Sequence, residues 1–267
     1  MSEIRSTTRA TSVGVCIYCG KTEGLTDEHI VPFGLGGNWI LPQASCIACS
    51  RITSDFERKV LRGFMHNARI VAGFQTRRPK QRPKTIPVQT KRGFRFETVD
   101  LPITESTGFL QLPVMETGAF LVGKPPVQGV IVKGNQTIAF GKPPKETAAA
   151  LGTKALQITS NIDVPAFARM LAKIGYCTAV AGRGLYALSE VPVLPYILGT
   201  ADDGSTWIGS ADFRLPVEDN NPTHALGSII LSGMVGKSEE TVLVAQVKLF
   251  ANSGARGYEV VVRRSPK

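Results

Sequence analysis

At 267 residues, 43% of them hydrophobic, the chain is long enough for one large or two modest domains with buried cores. Its formal net charge of +10 implies an anionic partner, nucleic acid first and an anionic membrane surface second. No apolar run approaches the roughly 18 residues that a spanning helix needs, and the first twelve residues lack the apolar centre of a signal peptide, so a reducing cytoplasm is the expected location.

Residues 1–12, rich in Ser and Thr, are expected to be a frayed tail. Residues 13–18 read as a short strand entering the pair Cys16/Cys19, with Gly20 allowing a tight turn behind it. Residues 26–33 read as a second extended piece, with Pro32 either ending it or marking an edge. Gly34, Gly36 and Gly37 then open a loop, and Trp39, Ile40 and Leu41 lead to the second pair, Cys46/Cys49. From here the pattern becomes helical, with Ser45 as N-cap. Ile52, Phe56, Val60 and Phe64 form an apolar stripe at four-residue spacing, opposed by Arg51, Asp55, Arg58, Lys59 and Arg62.

Residues 69–95 carry nine basic side chains and no acidic one. Pro79, Pro83 and Pro87 disfavour a helix, so 69–86 is expected as a basic linker or arm in which Arg77, Arg78, Lys80, Arg82 and Lys84 face phosphate. Short strands follow at 87–90, 94–99, 109–115, 120–122, 129–133 and 137–140, with Gly134-Asn135 as a tight hairpin turn. Asp163 is the expected N-cap of a long amphipathic helix. Phe167, Met170, Leu171, Ile174, Cys177 and Ala181 form its apolar face, Arg169 and Lys173 its other face, and Gly182 its stop. Cys177 reads as a small buried apolar residue. Strands are expected again at 228–231, 241–249 and 258–263. The fold class is therefore α+β: a zinc-stapled ββα-type module at 13–68, then a larger 87–267 domain with a mainly antiparallel sheet and one long amphipathic helix.

The two CxxC pairs, 26 residues apart, suit a tetrahedral Zn²⁺ site formed by Cys16, Cys19, Cys46 and Cys49. Four thiolates close the coordination shell, so this zinc is expected to be structural. Between the pairs lie Glu28 and His29: a neutral imidazole is suited to activating water, and a carboxylate beside it to holding a hard divalent ion. His66 reads as a capping or surface residue, and His224, after Asn221-Pro222-Thr223, as an exposed turn residue.

Cys-x2-Cys, Glu28-His29-Ile30-Val31-Pro32, Gly36-Gly37 and Cys-x2-Cys opening a helix together resemble the zinc-containing branch of the HNH endonucleases over about residues 14–62. The resemblance implies a ββα-metal fold, His29 as general base, and Glu28 as the first ligand of a catalytic Mg²⁺, Mn²⁺ or other divalent ion. Where that family carries a second ligand, Asn or His, this chain has Ser50, with Asn38, Asp27, Asp55 and Glu57 as other candidates. The expected function is an endonuclease that hydrolyses phosphodiester bonds, with DNA the foremost substrate; the alternative is an inactive zinc module that binds nucleic acid.

Overall fold

A computed structural model describes residues 7–92, 94–215, 223–235 and 238–266. It is a mixed α+β fold whose sheets are almost entirely antiparallel. The N-terminal unit contains β1 (Thr8–Arg9), β2 (Leu25–His29), β3 (Trp39–Cys46), α1 (Ile47–Arg62) and α2 (His66–Val71). Here β3 is the centre of a three-stranded sheet, antiparallel to β2 and parallel to β1. Part of the expected tail is thus strand, and residues 13–18, expected as strand, are loop and turn. The chain reaches the first cysteine pair by a turn closed from Gly20 N–H to Cys16 O (2.8 Å), and Gly20 has φ +78°.

The glycine loop after β2 is dictated by close approach. A Cβ on Gly37 would lie 1.9 Å from the Val31 carbonyl oxygen, and Gly36 ends the short 3-10 turn Phe33–Leu35 in the left-handed region. Cys46, not Ser45, precedes the first turn of α1, and Ser45 is fully buried. Phe56 and Val60 of the predicted stripe are buried, while Arg51, Arg58, Lys59 and Arg62 are exposed.

The remainder begins with the hairpin β4 (Thr85–Arg92) and β5 (Arg95–Pro102), followed by the pair β6 (Thr107–Met115) and β7 (Val132–Gly141). Gly134-Asn135 does not turn the chain: both residues lie within β7, opposite Val114 and Pro113, so the two short strands expected there are one. Residues 120–122, expected as strand, lie in the 3-10 turn Ala119–Val122. After α3 (Pro144–Ala150) and β8 (Leu156–Gln157) comes α4 (Val164–Arg183), whose Asp163 carboxylate accepts from the Ala166 amide at 3.0 Å, the predicted cap. The helix runs past Gly182 to stop at Gly184. Next come α5 (Leu194–Leu198), α6 (Gly204–Trp207) and a four-stranded sheet built from β9 (Ile208–Ala211), β10 (Ala225–Val235), β11 (Ser238–Lys248) and β12 (Gly257–Pro266), in the order β10-β11-β12-β9.

The helix α4 lies at the centre. It packs on α1 on one side and on β11 and β12 on the other, with Gly175 so close to the sheet that a Cβ would sit 2.9 Å from the Val260 Cβ. A helix covered on both sides is buried almost all round rather than along one stripe, and fourteen of the fifteen residues from Ala166 to Val180, Lys173 among them, are buried. Lys173 is therefore not on an exposed face as its polarity suggested. One hydrophobic core runs from Ile17, Tyr18 and Phe56 through Phe167 and Leu171 to Val244 and Val260.

Candidate metal centre

Cys16 and Cys19 sit on the turn before β2, Cys46 ends β3, and Cys49 lies in the first turn of α1. The β2–β3 ladder, which pairs Leu25 with Cys46, brings the two pairs together. All four sulfurs lie within 4.8 Å of one another, and Cys19 Sγ is 3.6 Å from Cys46 Sγ. Zn–S bonds of about 2.3 Å in a tetrahedron require sulfurs about 3.8 Å apart, so this group could hold zinc with little adjustment. Three of the four are buried and Cys19 is exposed. Burial opposes ionisation across the cluster and pushes the Cys16 and Cys49 thiols up, whereas at Cys46 the Cys49 amide and the neighbouring thiols outweigh it and bring the thiol down to about 7.

Ten residues from Cys19, the alternation of β2 sends Glu28 and His29 to opposite sides. Glu28 is 7% exposed and points inward. Its Oε1 lies 2.8 Å from Lys173 Nζ, and Glu57 Oε1 of α1 lies 2.9 Å from the same nitrogen, off the direction of a well-formed hydrogen bond. The ammonium also donates to the His29 carbonyl and, at 3.4 Å, to the Ile30 carbonyl. Burial acts against the Lys173 ammonium; the charges of Glu28 and Glu57 outweigh it and raise its pKa. Two carboxylates against one ammonium leave a negative charge over, and burial together with Glu28 pushes the Glu57 carboxyl upward despite Lys173.

Of the acids considered as partners for Glu28, the structure brings only Glu57 to it. Asp27 is exposed, 2.6 Å from Arg9, and accepts from the Gln43 amide; Asp55 pairs with Arg58 and, at 3.0 Å, Lys59 on the surface of α1. Ser50 is partly exposed in the first turn of α1, and its carbonyl accepts from the Thr53 hydroxyl at 3.2 Å. Glu57 follows it by two turns on nearly the same helical face. A carboxylate already closed on an ammonium is a poor fit for a divalent ion, so Glu28 as found does not suit the metal-ligand role that the resemblance implies.

His29 is partly buried, its ring 5.8 Å from that of Phe33, and its Nδ1 is buried without a hydrogen-bond partner. Burial, then the charges of Lys173 and Arg77, lower its pKa below 6.5, leaving the imidazole neutral at pH 7. The Arg77 charge also acts to lower the Glu57 carboxyl, so this part of the basic arm lies within electrostatic reach of the site. Arg77, Arg78, Lys80 and Lys84 are exposed. Arg82 is committed elsewhere, donating to the carbonyls of Ile70 (2.6 Å) and Phe74 (3.0 Å) and pinning the arm to the end of α2. Arg69 similarly donates to Gly34 O and Leu61 O, tying the glycine loop to α1.

His224 is buried, not exposed: its Nδ1 accepts from the Phe250 amide at 3.3 Å, so its Nε2 donates to Leu35 O at 2.8 Å. His66 opens α2 and is partly buried. Cys177 is fully buried, 3.4 Å from the Tyr18 hydroxyl, its thiol pushed up to about 12 by burial. No known protein family, curated protein or solved structure matches this chain.

Proposed function

We propose that this chain acts on nucleic acid as an HNH-like phosphodiester hydrolase, with a structural zinc at the four cysteines and His29 as general base. What supports this most is the His29 imidazole on β2, whose Nδ1 is buried without a partner and whose pKa is lowered by burial and by the charges of Lys173 and the exposed Arg77. His29 takes a proton from water as the water oxygen attacks phosphorus; the P–O bond to the leaving sugar oxygen breaks, and that oxygen takes its proton from solvent. Arg77, with Arg78, Lys80 and Lys84 beyond it, supplies positive charge for the phosphate backbone. Because Lys173 holds Glu28, no step is assigned to Mg²⁺ or Mn²⁺ at that carboxylate. DNA is the substrate we assign first.

The same Lys173–Glu28 pair favours a second reading, a zinc module that binds nucleic acid without cutting it. Plasmid nicking by the parent and by His29→Ala, with Mg²⁺, with Mn²⁺ and with EDTA, separates them. Hydrolysis predicts nicking that falls about a hundredfold or more in His29→Ala, the scale of a lost general base. Equal nicking by both proteins ends the proposal. A salt-sensitive gel shift by both proteins without cleavage leaves the binding module standing.

A further inference from the structure

We propose that Lys173 is a built-in cation: its ammonium occupies the place between Glu28 and Glu57 that a divalent ion would otherwise take, so that the native chain does not load Mg²⁺ or Mn²⁺ there. This holds whether or not the protein cleaves nucleic acid.

The surroundings of Nζ are those of a small hard cation. Carboxylate oxygens approach from β2 (2.8 Å) and α1 (2.9 Å), and the main-chain carbonyls of His29 and Ile30 close the same nitrogen from the strand side. Carboxylates plus backbone carbonyls are the donor set that Mg²⁺, Mn²⁺ and Ca²⁺ take from proteins. The cavity is nearly shut as well: Lys173 is 0% exposed, Glu28 7% and the Glu57 side chain 18%. An uncompensated buried ammonium, or a pair of uncompensated buried carboxylates, would not persist in their charged forms. Each therefore requires the other.

The two acids are set apart from their neighbours. Asp27 and Asp55, one and two residues away, face outward and pair with surface arginines and lysine. Only Glu28 and Glu57 converge. The cation that meets them comes from α4, 144 residues beyond His29 in the chain, so it is supplied by the fold and cannot be exchanged with solvent. A divalent ion would neutralise both carboxylates, whereas the ammonium neutralises one. Removing Lys173 should therefore uncover a site with the charge and donor oxygens for a divalent ion.

The test uses the full-length, zinc-loaded chain and Mn²⁺ alone, followed by titration calorimetry and by loss of the free-Mn²⁺ paramagnetic signal. The parent is expected to take up no Mn²⁺ at millimolar concentration. Lys173→Ala is expected to bind one Mn²⁺ per chain, and Lys173→Ala/Glu57→Gln none. Circular dichroism accompanies each sample. If Lys173→Ala is unfolded, restoration of its native spectrum by Mn²⁺ supports the proposal equally. Three results overturn it: Mn²⁺ uptake by the parent that Glu57→Gln abolishes; a folded Lys173→Ala that takes none; or an unfolded Lys173→Ala that Mn²⁺ does not rescue.

Discussion

His29 feels two positive charges of different origin, Lys173 of α4 and Arg77 of the basic arm, and both, after burial, lower its pKa from 6.5. A base acts in its unprotonated form, so under the proposed chemistry the rate should be at its plateau near pH 7 and fall as pH drops through the lowered value. Replacing Arg77 by Ala removes one of the lowering charges and should shift that acidic limb upward, towards 6.5. A pH–rate profile of nicking for both proteins checks this. An acidic limb above 6.5 in the parent, or one that Arg77→Ala leaves unmoved, would count against His29 as the titrating base. Two other residues show how far a local reading reaches at this scale. Cys177 was legible because a lone cysteine without a ligand partner is usually core. Lys173 and His224 were not, because what buries them is distant in the chain: Glu28 and Glu57 in one case, Leu35 and Phe250 in the other.

Among the elements, β2, β3 and α1 were the most legible, since the cysteine spacing and the four-residue stripe are written into fewer than fifty consecutive residues. Their ends were less so. Gly134-Asn135 has turn chemistry yet continues β7, because pairing with β6 satisfies its backbone and outweighs a local preference. The four-cysteine cluster joins the three legible elements at one corner, and the β2–β3 hairpin has only five residues in its shorter strand. A two-stranded hairpin of that size is marginal by itself, whereas a structural zinc contributes on the order of 10 kcal/mol. Cys46 also precedes the first turn of α1, so a zinc ion held there would fix both the strand end and the helix start. Cys46→Ser should therefore lose zinc, measured as about one equivalent per chain in the parent, and should unfold the β2–β3–α1 region in hydrogen exchange. A mutant that retains native exchange protection without metal would remove the stapling role.

Across the whole molecule the N-terminal four-cysteine unit does not close its own core. Ile17 O accepts from the Tyr176 hydroxyl at 2.7 Å, Phe64 packs edge-on to Phe167, and Lys173 reaches Glu28 and Glu57, all three contacts made by α4. In a fragment ending at residue 76 these groups would face water. Exposing large side chains such as Ile17, Phe56, Val60 and Phe64 costs roughly 1.5–3 kcal/mol each, which together is comparable with the on the order of 10 kcal/mol that zinc supplies. The two terms act in different places. Zinc constrains the cysteine turn and the first turn of α1, while the lost burial falls on the later turns, around Phe56 and Val60. The fragment should thus bind zinc and keep a protected cysteine corner, yet exchange its amides from Phe56 to Arg62 rapidly, where the full chain protects them. Native-like protection of those amides in the isolated fragment would show that α4 is not needed to hold the helix, and that the zinc unit folds independently of the larger part of the chain.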